Sequence, residues 1–402
     1  MKSQITSRFL KYSADRPKWP AIFSLFMGVT SLIAAEFIPV SLLTPIAQDL
    51  KITEGMAGQS VTVVGIFAVI ASLTLAPLSK NINRRFILLT LSALMIFSNI
   101  LVALTPNYVV LLIGRGVLGI CVGGFWSMAS AVTLQLASAK DVARALSVVY
   151  AGVSIATIIS LPLASYLEDL MGWRNVFFFA ALLSAIAFIW QYMTLPSLAA
   201  QMGNGFGNML ALLKQKWVLV GIVATIFSYG GYHIFFTYLR PFLEQDLVLQ
   251  NNVLSISLLA FGIANCLGTL IAGFILGKFF RSTMIMMHLI FALLAILLLV
   301  SNRAIEPSLV LVIGWGLLFG FIPVGWSTWI TKTLADKAEI IGALSVAAIQ
   351  FAIGLAAAIG GIIFDRASIE GIFIASILIF VCAALFIKVS FSLLLKTTGK
   401  FA

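Results

Sequence analysis

The sequence predicts an all-α membrane protein with twelve transmembrane helices arranged as two six-helix, pseudo-symmetric bundles. Three observations predict it. First, 61% of the 402 residues are hydrophobic and 10% are charged, with a mean hydropathy of +1.10. That balance is foreign to soluble domains. Apolar runs long enough to cross ~30 Å of hydrocarbon recur along the whole chain. Second, the cationic residues are sorted by loop. With the amino terminus in the cytoplasm, 19 of the 25 Lys and Arg fall in cytoplasmic segments. Lys51, Arg174, Arg240, Arg303 and Arg366 fall outside, and Arg115 lies within a span. This asymmetry places both termini in the cytoplasm. Third, the halves repeat. Val109–Gly119 (VVLLIGRGVLG) matches Leu309–Phe319 (LVLVIGWGLLF), and Trp126-Ser127 falls on Trp326-Ser327 in the same frame. Ala145–Val148 matches Ala343–Val346, and Gln48–Leu50 matches Gln245–Leu247. Six spans is an even number, so equivalent spans run in the same direction, as parallel repeats do.

Each element follows in order. Residues 1–19 form a basic cytoplasmic segment. The first apolar run, 20–44, exceeds a signal-peptide core and has no small-residue cleavage site, so it stays as an anchor; it carries Glu36 and Pro39. Runs at 56–78 and 86–104 follow, the latter entered through Arg84 and Arg85. The run 108–137 carries Arg115, Gly119, Gly123 and Trp126, and the run 142–167 carries Pro162. The sixth run, 174–195, completes a first bundle over 20–195. Residues 196–216 are the longest polar connection and read as a cytoplasmic linker. The second bundle, 217–395, opens with 217–239, which holds Tyr229, Tyr232 and His233. Then come 253–276 (Asn265, Gly273, Gly277), 283–301, 308–331 (Trp315, Pro323, Trp326), 341–364 (Gln350) and 369–395. Residues 396–402 are a cytoplasmic tail. The glycine pairs four apart should allow close backbone approach.

Several function classes are excluded. The net charge of +11 is topology with some attraction to anionic lipid, not a nucleic-acid surface. Cys121, Cys266 and Cys382 all fall inside spans, so no disulfide framework or metal site is expected. No GxxxxGK[ST] loop and no nucleophile–base arrangement occurs. The chain should not be an enzyme and should need no cofactor. Its energy source is a gradient.

One level of the bundle carries chemistry. Glu36, Arg115 and His233 each lie six to eight residues from the outer end of their spans, which at 1.5 Å per residue is ~9–12 Å below the outer surface. A carboxylate there costs roughly 2.5–3.5 kcal/mol on insertion scales, and Arg115 needs an anion or carbonyls. Glu36 and Arg115 are expected to pair, as a proton switch or as a static ion pair. The repeat sets Glu36 on His233 and Arg115 on Trp315. His233 reads as a second proton carrier, a substrate ligand or a satisfied core residue. Pro39 removes the helical donor of the Ala35 carbonyl, and Pro162 and Pro323 do the same to Ile158 and Phe319. Such kinks are conformational devices or plain bends. Tyr229, Tyr232, Trp126, Trp315 and Trp326 could stack on a flat ring, with Asn265 and Gln350 supplying amide hydrogen bonds. Packing is the plainer reading for each.

These residues carry a resemblance. The stretches Glu36–Leu50 (EFIPVSLLTPIAQDL), Ala57–Val63 (AGQSVTV), Gly123–Met128 (GGFWSM), Gly172–Phe177 (GWRNVF), Phe235–Pro241 (FFTYLRP) and Pro323–Ile330 (PVGWSTWI) resemble the drug:proton antiporter branch of the major facilitator superfamily. More closely, they resemble bacterial purine ribonucleoside efflux transporters. The resemblance implies twelve helices in two bundles, proton antiport, and export of inosine, guanosine and adenosine. It implies a role in proton transfer for Arg115, which matches the arginine of the branch's fourth-helix motif. Two departures stand out. Lys80 occupies the place of an acid before the paired Arg84 and Arg85, which weakens a cytoplasmic latch. Ser160, Leu161, Ala164 and Ser165 surround Pro162 where the branch has glycines, so looser packing is expected there.

The expected protein is a proton-coupled nucleoside exporter of the bacterial inner membrane. Its partners are a small-molecule substrate, protons and the lipid bilayer, without nucleic acid, and it acts as a monomer. A broader drug or sugar exporter of the chloramphenicol or arabinose type, and a non-transporting membrane sensor, stand as the alternatives.

Overall fold

The computed structural model describes residues 17–79, 81–138, 141–198, 211–301, 303–334 and 337–398. Most of the basic segment 1–19, the centre of the linker 196–216, the end of the tail 396–402 and Lys80 lie outside the described residues.

Polar caps punctuate the apolar runs. Thr53 Oγ1 accepts from Met56 N–H at 3.0 Å, Asn83 Oδ1 from Arg85 N–H at 3.0 Å, and Asn107 Oδ1 from Val110 N–H at 3.1 Å. Each satisfies one donor that a helix start leaves orphaned. The helices are α1 (Trp19–Ser41), α2 (Glu54–Leu78), α3 (Arg84–Ala103), α4 (Tyr108–Leu136), α5 (Val142–Met171), α6 (Trp173–Thr194) and α7 (Lys216–Phe236). Asn251–Val300 breaks at Phe279 into α8 (251–278) and α9 (280–300). Ile305–Phe319 and Phe321–Thr333 meet at Gly320 and together make α10. Ala338–Thr398 breaks at Ser368 into α11 (338–367) and α12 (369–398).

Ten described helices are long and apolar enough to cross a membrane. Two of them each contain one of these breaks, which divides the ten into twelve helical segments. The protein is therefore an all-α, multi-pass membrane protein. Apolar side chains such as Ile66, Phe97, Leu182, Phe274 and Leu378 are exposed on its outside.

The first span ends sooner than its apolar run. Pro39 has no N–H to extend the helix, and Leu42 N–H turns back to the Pro39 carbonyl at 3.1 Å. A short helix, Leu43–Leu50, follows. Pro323 likewise coincides with the interruption of α10 at Gly320. Between α5 and α6 a single residue, Gly172 at φ +81°, reverses the chain, a conformation that glycine adopts without strain.

In the first half α1 packs against α5 and α6, α2 and α3 against α4, and α3 against α6. Ser31 and Ser184 hydroxyls bond at 2.8 Å, Asn99 Nδ2 donates to Ser184 Oγ at 3.2 Å, and Ser92 donates to Gln191 Oε1 at 2.7 Å. The second half is centred on aromatic packing. The halves meet where α2 crosses α11 and α5 crosses α8.

Backbones approach closely at some glycines and not at others. A Cβ on Gly119 or Gly123 would lie 2.5 Å from Val64 O and 2.1 Å from Ala68 O, respectively. Gly273 and Gly277 have nothing within 4 Å of that position, so the close approach expected there does not occur. Around Pro162 the expected loosening is also absent. The glycine comes from the opposite helix: a Cβ on Gly262 would lie 2.9 Å from Ile158 Cα and 3.1 Å from the Ile158 carbonyl. That is the carbonyl Pro162 leaves without a helical donor.

Polar bridges between the halves gather at the end opposite the chain termini, here called the distal end. Arg240 Nη2 lies 2.9 Å from Glu168 Oε2, and its Nη1 donates to the Ser41 carbonyl. Asp365 accepts from Thr53 Oγ1 at 2.7 Å and from Gly55 N–H at 3.0 Å. Gln245 Nε2 donates to Glu54 at 2.7 Å, and Asn251 Nδ2 donates to Asp169.

Candidate functional site

The site begins with a break in α1. Pro39 cannot donate to the carbonyl of Ala35, and a bare carbonyl in an apolar interior is expensive. Arg115, from α4, fills the gap. Its Nη1 donates to Ala35 O at 2.7 Å, its Nη2 to Glu36 O at 3.2 Å, and its Nε to Ser60 O at 3.4 Å. Arg115 is 1% exposed, and the planar guanidinium suits several acceptors at once.

The expected Glu36–Arg115 ion pair is therefore not the arrangement. The guanidinium bonds go to main-chain carbonyls, and the Glu36 carboxylate takes its hydrogen bond from the other half. Its Oε1 accepts from Gln350 Nε2 of α11 at 3.4 Å. The physical reason is that the Ala35 carbonyl freed by Pro39 competes with the carboxylate for the same donors. Glu36 thereby becomes a contact between the halves.

His233 is buried with its ring edge-on to Tyr232 (4.9 Å, 88°), Phe236 (5.6 Å, 89°) and Phe319 (6.0 Å, 87°). Tyr232 stacks on Phe319 at 3.5 Å, and Tyr229 meets Phe319 edge-on at 6.4 Å. Phe236 touches Phe37 of α1 at 5.5 Å, the neighbour of Glu36. Glu36, His233, Tyr229 and Tyr232 thus belong to one region. Phe37, Phe236 and Phe319 join it and were missed by sequence reasoning. A signal was available, because Tyr229, Tyr232 and Phe236 share a helical face at spacings of three and four.

The tryptophans do not join this group. Trp315 is wholly buried inside the second half, edge-on to Phe235 (4.9 Å), Phe291 (5.1 Å) and Phe380 (5.7 Å). It is a core residue, because its side of α10 faces α7, α9 and α12 rather than the other half. Trp326 packs edge-on against Trp329, which packs against Trp217. Trp126 is half-buried and stacks on Tyr150 at 5.6 Å.

Two amides do have unspent hydrogen-bonding capacity. Asn265 Nδ2 and Gln350 Oε1 are buried without a partner in the protein. Seven other buried polar atoms among the described residues share this property, Trp315 Nε1 and Trp326 Nε1 among them.

At the opposite end, Arg84 is buried and donates to Ser79 Oγ at 2.8 Å and to Met128 Sδ at 3.4 Å. Arg85 Nη2 donates to the Tyr192 carbonyl at 2.8 Å. The pair thus holds α3 against α4 and α6.

Arg240 is a buried bridge between the halves that its loop position hid. Although it flanks a span, it is 3% exposed, and it also bonds Glu244 at 3.0 Å.

Residues 21–348 match the sequence profile of the Major Facilitator Superfamily. The chain is 40% identical over 366 residues to the purine ribonucleoside efflux pump NepI of Salmonella paratyphi B, covering 91% of this chain and 92% of that protein. It is 40% identical over 368 residues to the NepI of Salmonella typhimurium, with the same coverage. Among solved structures, a bacterial homolog of the human lysosomal transporter Spinster superposes with a TM-score of 0.76 at 13% identity, covering 96% of this chain and 99% of that one. The nucleoside transporter NupG superposes with a TM-score of 0.69 at 14% identity, covering 92% and 99%. At those identities the structural likeness speaks to the fold.

Proposed function

Because this chain belongs to the major facilitator superfamily, we propose that it is a proton-coupled secondary transporter that exports purine ribonucleosides across the bacterial inner membrane. It works as a monomer, by alternating access, and the proton gradient drives it. The substrate class, nucleosides such as inosine, guanosine and adenosine, rests on the relatives named for that activity.

One observation carries the coupling. A carboxylate buried in the first half is bonded to an amide of the second half, while the nearest arginine is occupied by main-chain carbonyls. A proton on Glu36 changes a contact between the two bodies that must move. With the termini cytoplasmic, the distal end is periplasmic. The bridges of Arg240, Asp365, Gln245 and Asn251 then close the periplasmic path in this conformation. A nucleoside enters from the cytoplasm and stacks on the Tyr229–Tyr232–Phe319 group, and Asn265 offers it a donor. Protons from the periplasm reach Glu36 and favour return to this state.

The test is proton-driven uptake of labelled inosine into everted vesicles. Glu36→Gln is expected to abolish gradient-driven accumulation while keeping inosine counterflow. Full gradient-driven accumulation by that variant would overturn the coupling. Counterflow with sugars or chloramphenicol but not with nucleosides would overturn the substrate.

A further inference from the structure

We propose that Gln350 is a positioning residue that reads the protonation of Glu36 across the interface between the halves. This rests on the reading of Glu36 as the coupling acid. Three observations carry it. The Glu36–Gln350 bond joins the two halves, and both side chains are buried. The backbone at Gln350 is held against the first half, because a Cβ on Gly65 of α2 would lie 2.7 Å from the Gln350 carbonyl and 2.7 Å from Gly354 Cα. Gln350 Oε1 is buried with no partner.

The chemistry follows from donor counting. An ionised carboxylate only accepts, so it can use the Gln350 amide N–H and offers nothing to Oε1. A carboxylic acid carries one O–H. It can donate to Oε1 while its other oxygen accepts from Nε2, giving a closed pair with two hydrogen bonds. The proton therefore adds a bond across the interface and satisfies the orphan acceptor. It moves from bulk water to a Glu36 oxygen and no other bond changes. Protonation thereby favours the distally closed state, and deprotonation releases it.

Other groups around Glu36 are accounted for. From α4, Arg115 faces it and is held by the carbonyls of Ala35, Glu36 and Ser60. From α7, His233 and Tyr232 sit in the aromatic group that meets Phe37. Beyond α7, Arg240 lies on the Ser41 carbonyl with Glu168 and Glu244. On α2 the Ser60 and Thr62 hydroxyls are buried and carry no charge, and on α6 Arg174 sits at the distal end with Asp49.

The experiment uses the full chain in nanodiscs with the native cysteines replaced and spin labels at Leu104→Cys and Val248→Cys, exposed distal positions in the two halves. The distance between labels is followed from about pH 5 to pH 9. The unmodified site should shift toward the closed distance by roughly tenfold in population as pH falls, the scale of one hydrogen bond between well-buried groups. Glu36→Gln should favour the closed distance by a similar factor at every pH without locking it, because an amide pair also makes two bonds. Gln350→Met, similar in volume but without the amide, should lose most of the pH dependence, with Gln350→Leu as a second variant. Gln350→Asn should restore part of it. A wild-type pH profile in Gln350→Met, with the profile lost in Glu36→Gln, overturns this inference and leaves the coupling acid standing. A wild-type profile in both overturns the coupling acid itself. A Gln350→Met variant that changes only the KM for inosine makes Gln350 a substrate ligand and overturns the inference.

Discussion

Arg115 Nη1 lies 2.7 Å from the carbonyl oxygen of Ala35, the carbonyl that Pro39 leaves without its helical donor. A proline in one helix and an arginine in another therefore satisfy one another's defects. The arginine gains neutral acceptors in a place where an ion pair was expected, and the acid beside it is released to face the other half.

This relationship predicts a partial rescue. Arg115→Met should destabilise the protein by about 1–3 kcal/mol per orphaned carbonyl. Adding Pro39→Ala should recover part of that loss, because the new N–H can reach Ala35. Thermal unfolding in detergent of the two single variants and the double variant gives the coupling directly. Strict additivity would contradict the arrangement.

Arg240 predicts a gate. Its removal by Arg240→Ala takes away the bonds to Ser41 and Glu168 that span the halves. Loss of a charged hydrogen bond of roughly 1.5–3 kcal/mol should raise the population open at the distal end at least about tenfold. The measurement is the alkylation rate of a cysteine placed just inside the distal seal. An unchanged rate would mean that the other bridges hold the end closed alone.

The two classes of glycine should respond oppositely. Gly268→Ala places a methyl 1.8 Å from the Leu317 carbonyl and should separate α8 from α10, lowering Tm by several degrees at a cost of about 1–3 kcal/mol. Gly273→Ala meets nothing within 4 Å and should be neutral or up to about 1 kcal/mol stabilising through helix propensity.

Asn265 separates binding from folding. Its Nδ2 has no partner in the protein, so Asn265→Leu should leave Tm unchanged or raise it. The same variant should weaken inosine binding about tenfold, read by titration calorimetry, if that donor serves the substrate. Unchanged affinity would assign the amide to another task.

Much of this was readable along the chain. Glu36 was conspicuous because acids are rare in apolar runs, and Arg115 for the same reason. Pro39 announced a free carbonyl at Ala35, which is local geometry. What filled that carbonyl was not readable, since Arg115 is eighty residues away and the carboxylate was an equally good partner on paper. Trp315 shows the same limit. The repeat set it opposite Arg115, yet the repeat relates backbone positions and not the packing around them. Arg240 was counted as a loop charge because sequence position cannot tell a solvated arginine from one enclosed by Ser41, Glu168 and Glu244.

Composition and spacing along the chain were enough to establish an all-α, multi-pass membrane protein and to single out an acid and a base within its apolar runs. Those conclusions follow from composition and spacing, because hydrocarbon excludes charge and unpaired backbone wherever the chain meets it. The tertiary structure alone decided the partners: Arg115 to Ala35, Glu36 to Gln350, Arg240 to Glu168. Partner choice depends on which donors the folded helices bring within about 3 Å of each acceptor, and that distance is set by helix packing rather than by any local run of residues.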